Sequence, residues 1–181
     1  MAGGINAWNG LVAEGYPEAG IPWFAAAHSV EEIMALAWIL EDGTEKFYSR
    51  TAEFSADSNA ASLLGELATA EEHHKVMIAG LYRDITGLVG EIDFPSLLGR
   101  YPQETIMEGG MKLGDALAWA EGKGAREMLE FSMALETGSY DRYLTMQDRI
   151  TDERSLKIFS ALADEEKHHL EKLTGLFERN L

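Results

Sequence analysis

A chain of 181 residues, 46% of them apolar, has the size and composition of one domain with a real core. Its net charge of −16 speaks against partners such as nucleic acid and anionic membrane surfaces, which call for basic patches. It contains no cysteine, which excludes disulfides, thiolate-bound zinc, thiolate catalysis and a four-cysteine rubredoxin iron site within the sequence. No apolar run approaches the ~18–20 residues that span a bilayer, and no basic-then-apolar leader opens the chain, so the expected location is cytoplasmic.

Residues 1–28 are rich in Gly, Ala and Trp, carry Pro17 and Pro22, and have no sustained helical period. They read as an arm separate from a domain over 29–181. A helix is expected to start at Ser29, which forms a capping box with Glu32. Ile33, Ala37, Leu40, Thr44 and Phe47 make its apolar stripe, with Glu41 inside it. A second helix is expected from Asn59 to Tyr82, with Leu64, Leu67, Ile78 and Leu81 on the face of Glu71 and His74.

The stretch 83–124, with Pro95, Pro102 and many of the glycines, is too long for a hairpin and reads as a crossover holding a short helix at 113–121. A third long helix is expected over Ala125–Thr145, with Leu129, Ser132, Glu136, Ser139 and Tyr143 on one face. A fourth is expected over Asp152–Glu178, with Ile158, Ala161, Leu162 and Glu165 inward. Segments 30–82 and 125–176 thus repeat one helical hairpin at an offset of 94–95 residues. The expected fold is all-α, a four-helix bundle of two repeated hairpins joined by a long crossover.

The repeat carries chemistry. AEEHH at 70–74 and DEEKHH at 164–169 each contain Glu-x-x-His, and residues three apart share a helix face. In the chosen register the pairs are Glu71/His74 and Glu165/His168. Glu41 precedes Glu71 by 71 − 41 = 30 residues, and Glu136 precedes Glu165 by 165 − 136 = 29. One Glu from each of two helices and Glu-x-x-His from each of two others is the donor set of di-iron and di-manganese bundles. Burying four carboxylates demands counter-charge, and two divalent cations supply it. His169 stands as an alternative to His168, because i+4 also faces i. The i+3 choice is common to both copies, so His168 is preferred and His73 and His169 are read as outer or surface groups. Tyr48 and Tyr143 each follow the upstream Glu by seven residues. They read as core residues able to hydrogen-bond a ligand Glu.

ALAWILEDGTEKFY, LATAEEHHKVMIAGLY, SMALETGSYDRY and ALADEEKHHLEKL together resemble the rubrerythrin branch of the ferritin-like superfamily over about residues 29–178. The resemblance implies a ferritin-like fold and a carboxylate-bridged centre of two iron ions, with manganese or zinc as substitutes in preparations. The implied ligands are Glu41, Glu71, His74, Glu136, Glu165 and His168. It further implies a reaction with peroxide or dioxygen, and self-association into a homodimer or higher oligomer. Typical rubrerythrins have a second Glu three residues after the first on the third helix, where this chain has Ser139. They also carry a rubredoxin domain, so electrons here would come from a separate rubredoxin-like donor.

GGINAWNGLVAEGYPEAG at 3–20 is similar to the closing segment of rhodanese-like domains. The arm is therefore expected to be either the tail of such a domain in a rhodanese–rubrerythrin fusion or a segment that packs on the bundle. Three functions compete on these grounds. The first is a di-iron oxidoreductase, the second a ferroxidase that handles iron, and the third a structural or redox-sensing module of a fusion.

Overall fold

The structure is a computed structural model that describes residues 29–98, 104–148 and 150–179. The arm at 1–28, including its rhodanese-like segment, lies outside the described residues. Four long helices dominate: α1 (Val30–Phe54), α2 (Ser58–Thr86), α5 (Ala125–Gln147) and α6 (Glu153–Arg179). Two short ones, α3 (Phe94–Leu97) and α4 (Leu113–Ala120), lie in the crossover. Among the described residues the fold is all-helical.

Local chemistry sets the helix ends. Ser29 Oγ accepts the Glu32 N–H at 3.1 Å while the Glu32 carboxylate accepts the Ser29 N–H at 3.3 Å, the capping box expected from sequence. Asp57 caps α2 through Asn59 N–H at 2.9 Å and Ala60 N–H at 2.8 Å. Gly87, at φ 70°, ends α2 in the left-handed conformation that glycine adopts without strain. Only residues 55–57 separate α1 from α2, so the two run back as an antiparallel hairpin, and α5 and α6 form the second.

The crossover does more than connect. Its residues 105–113 fold into a tight loop, in which Met107 N–H donates to Met111 O and Leu113 N–H to Thr105 O, both at 2.9 Å. At its tip is a 3₁₀ turn, Glu108–Gly110, with Gly109 at φ 76° and Gly110 at φ 74°. This loop presses on α1 at Gly43, where an added Cβ would lie 2.1 Å from Ile106 O. No side chain fits there, so Gly43 is required for close backbone approach.

The core falls into two apolar clusters. One gathers Ile33, Leu36 and Leu40 of α1, Ile78 and Leu81 of α2, Tyr143 and Met146 of α5, and Phe159 and Leu162 of α6. The other gathers Phe47 of α1, Leu64 and Leu67 of α2, Leu129 and Phe131 of α5, and Leu173 of α6. On every long helix the residues between the clusters are polar and buried: Glu41 and Thr44, Glu71 and His74, Glu136 and Ser139, Glu166 and His169. A polar layer is therefore sealed between two apolar ones. Burial of each large side chain contributes about 1.5–3 kcal/mol, and this has to offset the cost of desolvating that layer.

Candidate metal centre

Six side chains meet in the polar layer. α1 supplies Glu41 and α5 supplies Glu136, while α2 supplies Glu71 with His74 and α6 supplies Glu166 with His169. All four carboxylates are 0% exposed, His74 is 0% and His169 only 4%. Donor atoms of Glu41, Glu71, His74 and Glu166 lie within 4.8 Å of one another, and so do those of Glu71, Glu136, Glu166 and His169. Glu71 and Glu166 belong to both groups.

The two imidazoles present the same nitrogen to the cluster. His74 Nδ1 lies 2.9 Å from Glu71 Oε2, 3.1 Å from Glu41 Oε2 and 3.3 Å from Glu166 Oε1. His169 Nδ1 lies 3.0 Å from Glu136 Oε2 and 3.4 Å from Glu166 Oε2. The rings lie side by side, with centroids 5.6 Å apart and planes inclined by 22°. A single ring nitrogen cannot serve three carboxylates by hydrogen bonding. Glu41 Oε1 and both oxygens of Glu71 and of Glu166 are buried without a hydrogen-bond partner. Oxygen and imidazole donors converging on one point, with acceptors left over, fit a cation. These buried groups could hold a metal ion.

Without a metal the layer must hold protons. Burial, reinforced by the Glu41 charge, pushes the Glu71 carboxyl well above its ordinary range. Burial and Glu136 do the same to Glu166. Burial opposes the low values of Glu41 and Glu136 but is outweighed, at Glu41 by Glu71 and His74, and at Glu136 by Glu166 and His169. Burial also works against a charged His74, yet Glu41, Glu165 and Glu166 together raise it well above 6.5.

Four of the expected ligands are in the layer and two are not. Glu165 and His168, the residues chosen on α6, lie one position off the buried face. The His168 side chain is 64% exposed, its nearest ionic partner being Glu171 at 3.7 Å, and the Glu165 side chain is 47% exposed. The buried stripe of α6 runs Phe159, Leu162, Glu166, His169, Leu173 and Leu176, stepping by three and four residues. The expected inward set of Ile158, Ala161, Leu162 and Glu165 straddled its edge. Glu165 nonetheless reaches the site from behind, its Oε2 lying 3.1 Å from His74 Nε2.

The sequence held the signal that corrects this. Glu166 − Glu136 is 166 − 136 = 30, equal to 71 − 41 = 30, and Glu41, Glu71, His74 and Tyr48 all map onto Glu136, Glu166, His169 and Tyr143 at one offset of 95. The tyrosines differ in place. Tyr48 donates its hydroxyl to Glu136 Oε1. Tyr143 packs in the apolar cluster against Phe159, with ring centroids 5.8 Å apart. Sequence reasoning missed Glu108 altogether, a fifth carboxylate that is 1% exposed. It sits in the crossover, outside the repeat, so no internal copy flags it.

No family model matches the chain, and no curated protein matches it. The chain is similar to the solved structure of a hypothetical protein from Pyrococcus furiosus, with 21% sequence identity and a TM-score of 0.57 over 83% of this chain and 89% of that one. That likeness concerns the all-helical fold alone.

Proposed function

We propose that the chain is a ferritin-like, rubrerythrin-type protein that holds two metal ions, iron in its working form, and reduces peroxide or dioxygen with electrons from a separate donor. One observation carries this reading: Glu71 and Glu166 each belong to both groups of four donors. Two ions would share these two carboxylates, with Glu41 and His74 available to complete one set and Glu136 and His169 the other. Four carboxylates at −4 balance two divalent cations at +4, which removes the cost of burying the acids unpaired.

Two iron ions in this position would supply paired one-electron chemistry at neighbouring atoms. The chain's own residues hold and orient. The Tyr48 hydroxyl fixes Glu136, and Glu165 fixes the His74 ring so that Nδ1 faces inward. The apolar clusters on either side keep bulk water from the layer.

Anaerobic loading with ferrous iron, followed by separate mixing with peroxide and dioxygen, tests the reading. The expected result is about two irons per chain, rapid oxidation by one of the oxidants, and turnover once a donor is added. Repeated ferrous oxidation with accumulation of ferric product, and no dependence on a donor, would favour iron handling instead.

A further inference from the structure

Glu108 is a buried carboxylate that the six-residue site does not use. The crossover loop delivers it to the α1–α5 side of the polar layer, and two matched hydroxyls receive it there. Thr44 and Ser139 are equivalent under the 95-residue repeat, since 139 − 44 = 95, and each lies three residues after its helix's buried Glu. Thr44 Oγ1 accepts the Glu108 N–H at 3.1 Å and donates to Leu40 O at 3.0 Å. The Ser139 hydroxyl lies on the carboxyl side of Glu108 and favours its charged form.

The turn is thus pinned through its backbone at Thr44. Glu108 Oε2 is buried and has no hydrogen-bond partner. The charges acting on it come from inside the layer and from α5. Burial first, then Glu41 and Glu136, push the carboxyl up to about 8, while Arg142 pulls the other way. A carboxylate that is 1% exposed, has an oxygen left over and is held by Thr44 one helical turn from Glu41 suits a cation better than the apolar core.

We propose that Glu108 is a further carboxylate ligand of the same metal centre, supplied by the crossover turn on the side closed by Glu41 and Glu136. The inference rests on the metal-centre reading above. Gly43 is part of the arrangement, because any side chain there would push the 106–107 backbone, and Glu108 with it, away from α1.

Anaerobic titration of the full chain with cobalt(II), read by visible absorption and metal analysis, tests it. Cobalt reports its coordination number through band intensity, which rises as ligands are lost. Wild type should take about two ions per chain. Glu108→Gln keeps the side-chain shape and the backbone grip of Thr44. It should bind one ion more than about a hundredfold less tightly and show stronger bands, a loss beyond the range seen when only a metal site's outer polar support is removed. Glu108→Asp keeps the negative charge facing Arg142 but withdraws the oxygen by one methylene. It should behave like Glu108→Gln, whereas a purely electrostatic role predicts wild-type binding. Unchanged cobalt affinity and spectrum in both variants would overturn the inference and leave the six-residue centre standing. Failure of wild type to bind cobalt would overturn both.

Discussion

Glu165 Oε2 stands 3.1 Å from His74 Nε2, on the opposite edge of the ring from the carboxylates that crowd Nδ1. The imidazole is thereby held between an outer acid and an inner cluster. An acceptor at Nε2 keeps the proton on that nitrogen and leaves the Nδ1 lone pair facing inward. The His74 hydrogen bond also holds the Glu165 carboxyl below its ordinary range.

Replacing Glu165 with Gln should therefore weaken metal binding without abolishing it, by about tenfold to a hundredfold. Competition against a chelator of known affinity would measure this. A loss as complete as that of Glu71→Gln would mean that Glu165 is itself a ligand.

The exchange of register on α6 gives a sharper contrast. His169→Ala and Glu166→Ala should each remove one metal ion per chain, whereas His168→Ala should leave stoichiometry unchanged. The reason is burial, since His169 is 4% exposed and the His168 side chain 64%. Elemental analysis of the three purified variants decides the matter.

Acidity should act in opposite senses on the metal-free and metal-loaded chain. Glu71, Glu108, Glu166 and His74 all hold protons more tightly folded than unfolded. Each contributes stability that is complete below its ordinary value, 4.5 for the acids and 6.5 for His74, and is lost as pH rises through the folded value. Glu41 and Glu136 contribute above 4.5, and their share is lost on acidification. The melting temperature of the metal-free protein should fall between about pH 6 and pH 9, the range that includes the Glu108 transition near 8. Divalent metal must displace those protons, so its stabilising shift in melting temperature should be larger at pH 8 than at pH 5. An equal shift at both would contradict proton displacement.

Tyr48→Phe removes the phenol O–H that donates to Glu136 Oε1. A hydrogen bond to a buried charged group is worth about 1.5–3 kcal/mol, so metal-free stability should drop by that order in urea unfolding. Tyr143→Phe should cost less, because that ring packs in the apolar cluster against Phe159. Similar losses in the two variants would remove the distinction.

Much of the fold is legible from short-range signals. The Ser29–Glu32 capping box and the apolar stripes of α1, α2 and α5 each follow from local chemistry that the structure repeats, whereas α2 runs on past the expected Tyr82 to Thr86, where Gly87 ends it. The four donors on α1, α2 and α5 were legible for the same reason, since each sits inside a stripe of large apolar residues. On α6 the doubled signal Glu165-Glu166 and His168-His169 offers two Glu-x-x-His registers, and motif similarity alone does not choose between them. The constant offset of 95 and the stripe through Phe159 and Leu173 do choose, because a helix buries one face and not its neighbour. Glu108 was not legible. Its burial depends on a crossover loop meeting Gly43, and that long-range contact leaves no period in the sequence.

The most direct test of the central claim is iron content after anaerobic equilibration with excess ferrous iron and removal of unbound metal. Wild type should retain about two irons per chain, and Glu71→Gln combined with Glu166→Gln should retain fewer than about one, because these two carboxylates serve both donor groups. Wild type retaining less than about one iron, or a double variant retaining as much as wild type, would contradict the account.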